Sequence, residues 1–297
     1  MNRKLLYMKK NKLEIFSYLL MTLISAAIII PFVLLFSSSF TDELSIIRYG
    51  YNFIPREFSL DAYRYLWANI NMIARGYGLT ILVTVVGVGL SLLTSSMLAY
   101  PLSRKDLPGR GILLFLVLFT MLFHGGLVPS YLVWTRIFGI KNTIYAYIFP
   151  GLMLNGYYVF LMRSYFINSI PKSLLESAKI DGAGEFQIYY KIVLPLSLPI
   201  MATIGLMVGL LYWNNWTNGL YYITDPSLYT IQVILQNIIK DIQFLSSSAF
   251  AGKITGTVPG ATVRMAIATI ATIPILVIYP FFQKYFVKGI TIGAVKG

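Results

Sequence analysis

The sequence predicts an all-α, polytopic integral membrane protein with six transmembrane helices. Of its 297 residues, 57% are hydrophobic and only 12% are charged, which is far more apolar than a soluble domain. A spanning helix needs about 20 mostly apolar residues, whereas a barrel strand has about 10 of alternating polarity. Long windows without Asp, Glu, Lys or Arg therefore mark the spans. They are residues 15–36, 80–100, 112–134, 143–162, 196–222 and 265–282.

The basic residues orient these helices. Most of the 24 Lys and Arg residues lie in segments that are cytoplasmic if the N-terminus is inside the cell. We therefore expect a cytoplasmic N-terminus at 1–14, a single transmembrane domain at 15–285 and a cytoplasmic tail at 286–297, in the cytoplasmic membrane. The net charge of +13 then faces anionic lipid headgroups rather than nucleic acid.

The external connections contain two predicted helices. In residues 37–79, Ser59 is placed to cap a short helix that carries Trp67 as an interfacial anchor. Its apolar face consists of Leu60, Tyr63, Leu66 and Ile70. Asn142 is placed to cap the fourth span. The last connection, 223–264, has an amphipathic run at 228–242 and then a polar stretch at 246–262, which is either a linker or a contact surface.

The cytoplasmic connection between the fourth and fifth spans, residues 171–195, is polar and contains glycine. Pro171 breaks the preceding helix, and Ser173 and Glu176 have the spacing of a capping box. Gly182 is placed to stop or bend the new helix, and the chain then restarts at Glu185. The pattern predicts two short helices with a sharp bend, which form either a docking surface for another protein or an ordinary connector.

This connection resembles the EAA loop of ABC importer permeases, whose pattern is E-A-A, then D-G-A, then I-x-L-P. The matching residues are Glu176, Ser177, Ala178, Asp181, Gly182, Ala183, Ile192, Leu194 and Pro195. Ser177 stands where the family usually has alanine. Residues 139–143, 213–215 and 279–297 are similar to the maltose-type sugar permeases, and residues 124–132 are similar to a branch that handles oligosaccharides and polysaccharide fragments.

The resemblance implies a permease subunit of an ATP-driven importer that moves a sugar, an oligosaccharide in that branch, by alternating access. It implies three kinds of partner: a second related permease, two cytoplasmic ATPase subunits and an external solute-binding protein. The predicted spans themselves imply contact with membrane lipid. The loop would be the coupling helix that sits in a cleft of the ATPase.

The sequence has no G-x-x-x-x-G-K-[ST] segment to cradle phosphate. We therefore expect this chain not to be an enzyme and to bind no cofactor, with ATP and Mg held by the partner ATPases. It has no cysteine and one histidine, His124, so we expect no metal site.

Polar and aromatic residues in two spans are candidates for the path of the sugar. Asparagine inside a membrane is costly unless it faces water, ligand or a neighbouring helix, so these residues either line a cavity or bond helices together. The candidates are Tyr212, Trp213, Asn214, Asn215, Trp216 and Asn218 in the fifth span, with Asn155 and Tyr158 in the fourth.

Two other functions remain open at this point. A secondary active transporter usually couples ions through ionisable groups inside the membrane, but none of the 11 acidic residues lies in a predicted span. An ABC permease for a non-sugar solute, such as a peptide or an anion, is opposed only by the sugar-type similarities.

Overall fold

A computed structural model describes residues 2–247 and 260–294, with side chains described for 14–240 and 260–281. In the described part of the chain the regular structure is helical, with one isolated bridge between Thr41 and Phe58. Most of the polar stretch predicted at 246–262 lies outside the described residues.

The helices follow one another along the chain, some of them interrupted by short π-helical turns. The first eight are α1 (Asn2–Ser39), α2 (Glu43–Tyr49), α3 (Asp61–Ala68), α4 (Ile70–Ser103), α5 (Arg110–Leu122), α6 (Leu127–Leu132), α7 (Tyr145–Ile148) and α8 (Gly156–Ser169). The others are α9 (Lys172–Ile180), α10 (Glu185–Ile188), α11 (Leu194–Leu196), α12 (Leu198–Trp213), α13 (Trp216–Tyr222), α14 (Ile231–Ser247) and α15 (Ala261–Ala294). The π-helical turns are Val133–Ile137 and Tyr189–Val193.

Three helices among the described residues are long and apolar enough to cross a membrane unbroken. They are Glu14–Ser39, Ile70–Ser103 and Ala261–Phe281, which correspond to the first, second and sixth predicted spans. Each of these segments contains a charge-free stretch of about a membrane width, and a helix can cross lipid because its backbone amides and carbonyls are hydrogen-bonded within the segment.

Two further spans are bent pairs of helices, which brings the number of candidate spans to as many as five. The third predicted span bends by 111° between α5 and α6, where Gly126 has φ +84°. The segment Glu185–Leu196 bends by 77° against α12, at Ser197 between two prolines. The predicted fifth span, 196–222, is also interrupted between α12 and α13, at Asn214 and Asn215.

The fourth predicted span, residues 143–162, does not form one helix. It consists of the short α7, a non-helical stretch and the start of α8. Pro150 lacks an amide proton, Gly151 has φ +74°, and Asn155 caps α8 by accepting a hydrogen bond from the Tyr157 amide at 2.9 Å. The expectation of six transmembrane helices is therefore not confirmed among the described residues.

The prediction that Asn142 caps the fourth span is wrong. Asn142 has φ +55°, and its side-chain oxygen accepts a hydrogen bond from the Thr224 amide, so it ties the α6–α7 link to the chain after α13. The residue before α7 is Ile144, which offers no capping side chain. Asparagine tolerates the left-handed conformation and bonds nearby backbone, which explains this alternative use.

The chain divides into two compact units, Met1–Ile70 with Asn237–Ile273, and Asn71–Gln236 with Pro274–Gly297. In the first unit, the Glu43 carboxylate accepts hydrogen bonds from the Ala261 amide at 2.8 Å and the Thr262 amide at 2.9 Å, at the start of α15. The Ser59 hydroxyl accepts from the Asp61 amide at the start of α3, although the N-cap position itself belongs to Leu60.

The core of the second unit lies where α4, α8 and α12 meet. Its fully buried side chains include Val83, Tyr147, Met162 and Ile204. Within a membrane lipid is as apolar as these side chains, so they stabilise the helix contacts through close packing. Helices α9 and α10, which follow α8 and are cytoplasmic in the predicted orientation, pack against this core.

Candidate functional site

The segment that resembles the EAA loop forms a helical hairpin, which we call the coupling hairpin: α9, a bend at 181–184, and α10 with its π-helical turn. Two buried residues hold it to the core of the second unit, Leu175 on α9 and Ile188 on α10. The hairpin therefore has one fixed face, and its other face is exposed.

The predicted capping box is wrong. Pro171 occupies the N-cap position with extended backbone, so Ser173 already lies inside α9 and makes no capping bond. The Ser173 carbonyl instead accepts a hydrogen bond from the Ser177 hydroxyl at 2.9 Å. Helix α9 starts because Pro171 forces the preceding chain out of the helical region, not because a side chain caps it.

The bend occurs at Gly182, as predicted, and it has the geometry of a Schellman motif. The Ala183 amide donates to the Ala178 carbonyl at 2.9 Å, and the Gly182 amide donates to the Lys179 carbonyl at 3.0 Å. Gly182 has φ +79°, which glycine adopts without the steric cost of a Cβ atom. Ala178 and Ala183, both half-buried, occupy the two positions that meet in this motif.

The exposed face of the hairpin mixes charge and apolar surface. Glu176, Ser177 and Asp181 are exposed, and so are two large apolar side chains, Ile180 at 87% and Phe186 at 71%. Exposed apolar groups rimmed by polar residues are typical of a surface that binds protein.

The end of the EAA-like pattern runs from the π-helical turn into α11. Ile192 and Leu194 pack against the core, while Pro195 is exposed. These residues are thus the connection between the coupling hairpin and α12.

A cluster of charged residues joins the coupling hairpin to the α4–α5 turn. Lys179 Nζ lies 2.6 Å from Glu185 Oε1 and 3.3 Å from Asp106 Oδ2. Arg104 Nε lies 3.2 Å from Asp106 Oδ1, and the Tyr100 hydroxyl donates to Glu185 Oε2 at 2.5 Å. Two cations thus balance two anions across the cluster.

The cluster shifts the titration of its members. Hydrogen bonds from Arg104 and Lys179 help to lower the pKa of Asp106 to about 2, and that from Arg104 has the larger effect. Hydrogen bonds to Glu185 and Asp106 raise the pKa of Lys179. Both groups therefore remain charged at neutral pH.

The charged cluster borders a cavity of about 490 Å³. Its apolar walls include Met97, Leu107 and Phe186. Sequence reasoning missed this cluster because Asp106 and Lys179 are 73 residues apart. Their only shared signal is that both lie in connections predicted to be cytoplasmic.

The structure brings three of the substrate-path candidates together at the interrupted fourth span. The Tyr212 hydroxyl donates to the Ile148 carbonyl at 2.9 Å. Asn215 Nδ2 donates to the Tyr147 carbonyl at 3.4 Å, and Asn218 Nδ2 donates to the Pro150 carbonyl at 3.2 Å. These three side chains therefore form hydrogen bonds between the fifth and fourth spans. Of the two roles expected for them, lining a cavity or bonding helices together, the structure shows the second.

Trp213 and Asn214 have different surroundings. Trp213 is buried and lines a largely apolar cavity of about 690 Å³ formed by residues of α4, α12 and α15, all in the second unit. Among the described residues, its indole Nε1 has no hydrogen-bond partner. Asn214 is exposed and accepts a hydrogen bond from Gln232 at 3.4 Å.

The remaining candidates are not grouped around a common opening. Trp216 is half-buried against the core, and Tyr158 is a core residue with 6% exposure. Asn155 caps α8, as described above. The eight candidates thus occupy several environments rather than one binding pocket.

Residues 91–292 match the family described as binding-protein-dependent transport system inner membrane component. The chain is 39% identical over 295 residues to the polygalacturonan/rhamnogalacturonan transport system permease protein YtcP of Bacillus subtilis (strain 168), covering 98% of this chain and 100% of that protein. It is 29% identical to the arabinooligosaccharides transport system permease protein AraQ of Halalkalibacterium halodurans, over 98% of this chain and 100% of that one.

The fold is also similar to a chain in the crystal structure of a bacterial ABC transporter involved in the import of the acidic polysaccharide alginate. The TM-score is 0.80 and the identity 31%, and the match covers 94% of this chain and 98% of that chain.

Proposed function

The chain belongs to the family of binding-protein-dependent transport system inner membrane components, and from that premise we propose that it is a permease subunit of an ATP-driven importer for acidic oligosaccharides. The similarity to YtcP over nearly the full length of both chains is the single observation that carries this proposal. The proposed substrate is an oligosaccharide with uronic acid units, because the polysaccharides named for YtcP and for the alginate importer are acidic.

The coupling hairpin is the proposed contact with an ATPase subunit. Its exposed carboxylates, Glu176 and Asp181, and its exposed apolar side chains support this role, because protein partners recognise such mixed surfaces. The buried Leu175 and Ile188 support the transmission of force, since they hold the hairpin to the core. ATP and Mg would bind to the partner, and this chain would supply the moving surface.

In this proposal both termini are cytoplasmic, and the partners are a second related permease, two ATPase subunits and an external solute-binding protein. The proposed orientation puts the coupling hairpin and the excess of Lys and Arg on the same side of the membrane, as the positive-inside preference requires. Helix α1, which is exposed along most of its apolar length, would face lipid or the second permease.

The test is transport by the complete complex in proteoliposomes. We expect uptake of oligogalacturonides only when ATP is present on the hairpin side and the solute-binding protein on the other. Neutral arabinooligosaccharides serve as the matched substrate, and we expect them to be taken up more slowly. Uptake driven by an ion gradient without ATP would refute the mechanism, and equal uptake of neutral sugars would refute the substrate class.

A further inference from the structure

Helix α4 is unbroken over 34 residues, from Ile70 to Ser103, as α15 is and as spans three to five are not. At about 1.5 Å per residue it is roughly 50 Å long. Spans three to five each contain an interruption. A continuous helix is a rigid element that can carry a displacement from one end to the other.

The cytoplasmic end of α4 is bonded to the coupling hairpin through two pairs of side chains. The Tyr100 hydroxyl donates to Glu185, the first residue of α10. One turn earlier on α4, the Ser96 hydroxyl shares a buried hydrogen bond of 2.7 Å with the Tyr189 hydroxyl. Ser96 and Tyr189 are both buried, so water does not compete readily for the bond between them. In the bond between Tyr100 and Glu185 only the tyrosine is buried, because the Glu185 side chain is 52% exposed.

The charged cluster extends the same attachment to α9. Glu185 uses one carboxylate oxygen for Tyr100 and the other for Lys179, which lies in the last turn of α9. Asp106 pairs with Lys179 from the α4–α5 turn. Both arms of the hairpin are therefore tied to the end of α4.

Thr80, in the third turn of α4, holds the beginning of α14. The Thr80 hydroxyl accepts a hydrogen bond at 3.0 Å from the amide of Ile231, the first residue of α14, and donates to the Gly76 carbonyl at 2.7 Å. That amide has no partner within its own helix, so Thr80 supplies the missing acceptor. Between the two ends, Gly87 receives the ring of Tyr212 from α12.

We propose that Tyr100, Glu185, Ser96 and Tyr189 form a clasp, whose role is to position α4 relative to the coupling hairpin so that movement of the hairpin reaches α14 through α4. This inference rests on the proposed function, since it concerns how that transporter couples ATP hydrolysis to transport. The four are positioning residues, which act through α4 and touch neither ATP nor sugar.

The experiment measures sugar transported per ATP hydrolysed by the reconstituted complex. The double variant Tyr100→Phe/Tyr189→Phe removes both hydroxyls of the clasp and retains both rings, which lie 5.5 Å apart. A buried hydrogen bond is worth a factor of about fivefold in an equilibrium, so we expect the transport ratio to fall at least about fivefold. ATP hydrolysis should stay near the wild-type rate, and the melting temperature of the complex should fall only by what the loss of two hydrogen bonds costs.

The matched control is Tyr145→Phe, a tyrosine of the same unit that is 58% exposed, and its ratio should equal that of the wild type. A wild-type ratio in the double variant would overturn the clasp. If the double variant does not assemble, the two single variants decide by the same ratio. Failure of the wild-type complex to import any sugar with ATP would instead contradict the proposed function, so the two failures are distinguishable.

Discussion

The ring of Tyr212 on α12 lies directly against Gly87 on α4. A Cβ atom built on Gly87 would be 2.5 Å from the ring carbons of Tyr212, closer than such atoms approach in proteins. The same ring carries the hydroxyl that bonds to the Ile148 carbonyl. The absence of a side chain at Gly87 therefore lets α4, α12 and the interrupted fourth span meet at one point.

Replacing Gly87 by alanine should destabilise the protein, because the Tyr212 ring has to move and the hydrogen bond to Ile148 is strained. Overpacking of this kind costs about 1–3 kcal/mol. The measurement is the melting temperature of the purified complex in detergent. Gly89→Ala is the matched control, because nothing lies within 4 Å of its added Cβ atom. Equal melting temperatures for the two variants would show that the ring moves aside without cost.

Replacing Glu43 by alanine should destabilise the start of α15. The carboxylate accepts three hydrogen bonds there, from the amides of Ala261 and Thr262 and from the Thr262 hydroxyl. Loss of a charged helix cap costs about 1–2 kcal/mol. We expect faster hydrogen exchange of the first amides of α15 in Glu43→Ala and no change in Glu57→Ala, an exposed glutamate of the same unit. Identical exchange in both variants would contradict the role of Glu43.

Replacing Gly182 by alanine should weaken assembly with the ATPase. A residue with a Cβ atom at φ +79° has a conformational energy about 1–2 kcal/mol higher than glycine. Relief of that strain would distort the Schellman motif. Gly184→Ala is the matched control, since Gly184 has φ −67°, which alanine adopts freely. The measurement is co-purification of the ATPase with each variant. Wild-type recovery with Gly182→Ala would argue against a docking role for this bend.

The charged cluster should be insensitive to pH over the physiological range. The pKa of Asp106 is lowered from 3.8 to about 2. The ionised carboxylate therefore stabilises the folded charged cluster above pH 3.8, and this stabilisation is lost as the pH falls towards 2. The pKa of Lys179 is raised above 10.5, so its contribution is present below 10.5 and is lost as the pH rises through the higher value. The ratio of sugar transported to ATP hydrolysed should therefore be constant between about pH 5 and 9. If that ratio instead changed with a midpoint between pH 5 and 9, one of the two residues would be titrating without its partner.

The helices that the sequence predicts best are those whose signals are local and continuous. Helices α1, α4 and α15 follow from long charge-free windows, and the bend at Gly182 follows from a glycine after a short helix. The fourth span was predicted as one helix for the same reason, since residues 143–162 carry no charge. Apolar composition reports burial in a membrane, but it does not report that Pro150, Gly151 and Asn155 together interrupt the backbone.

Contacts between distant residues could not be predicted from one sequence. Tyr100 and Glu185 are 85 residues apart, and Asn218 and Pro150 are 68 apart. Nothing in the periodicity of either segment indicates its partner. The capping box failed for a different reason: S-x-x-E spacing predicts a helix start only if Ser173 is at the N-cap, and the rigid Pro171 took that position.

The bonds from Tyr212 to the Ile148 carbonyl, from Asn215 to the Tyr147 carbonyl and from Asn218 to the Pro150 carbonyl also have an evolutionary consequence. The end of a helix leaves its last carbonyls without intrahelical partners, and here another interrupted segment supplies the donors. A mutation that removes one of these donors exposes an orphan acceptor to a lipid-like interior, unless a second mutation compensates for it. Substitutions in the two segments should therefore occur together. Among homologous permeases, positions 212, 215 and 218 should covary with positions 147–150.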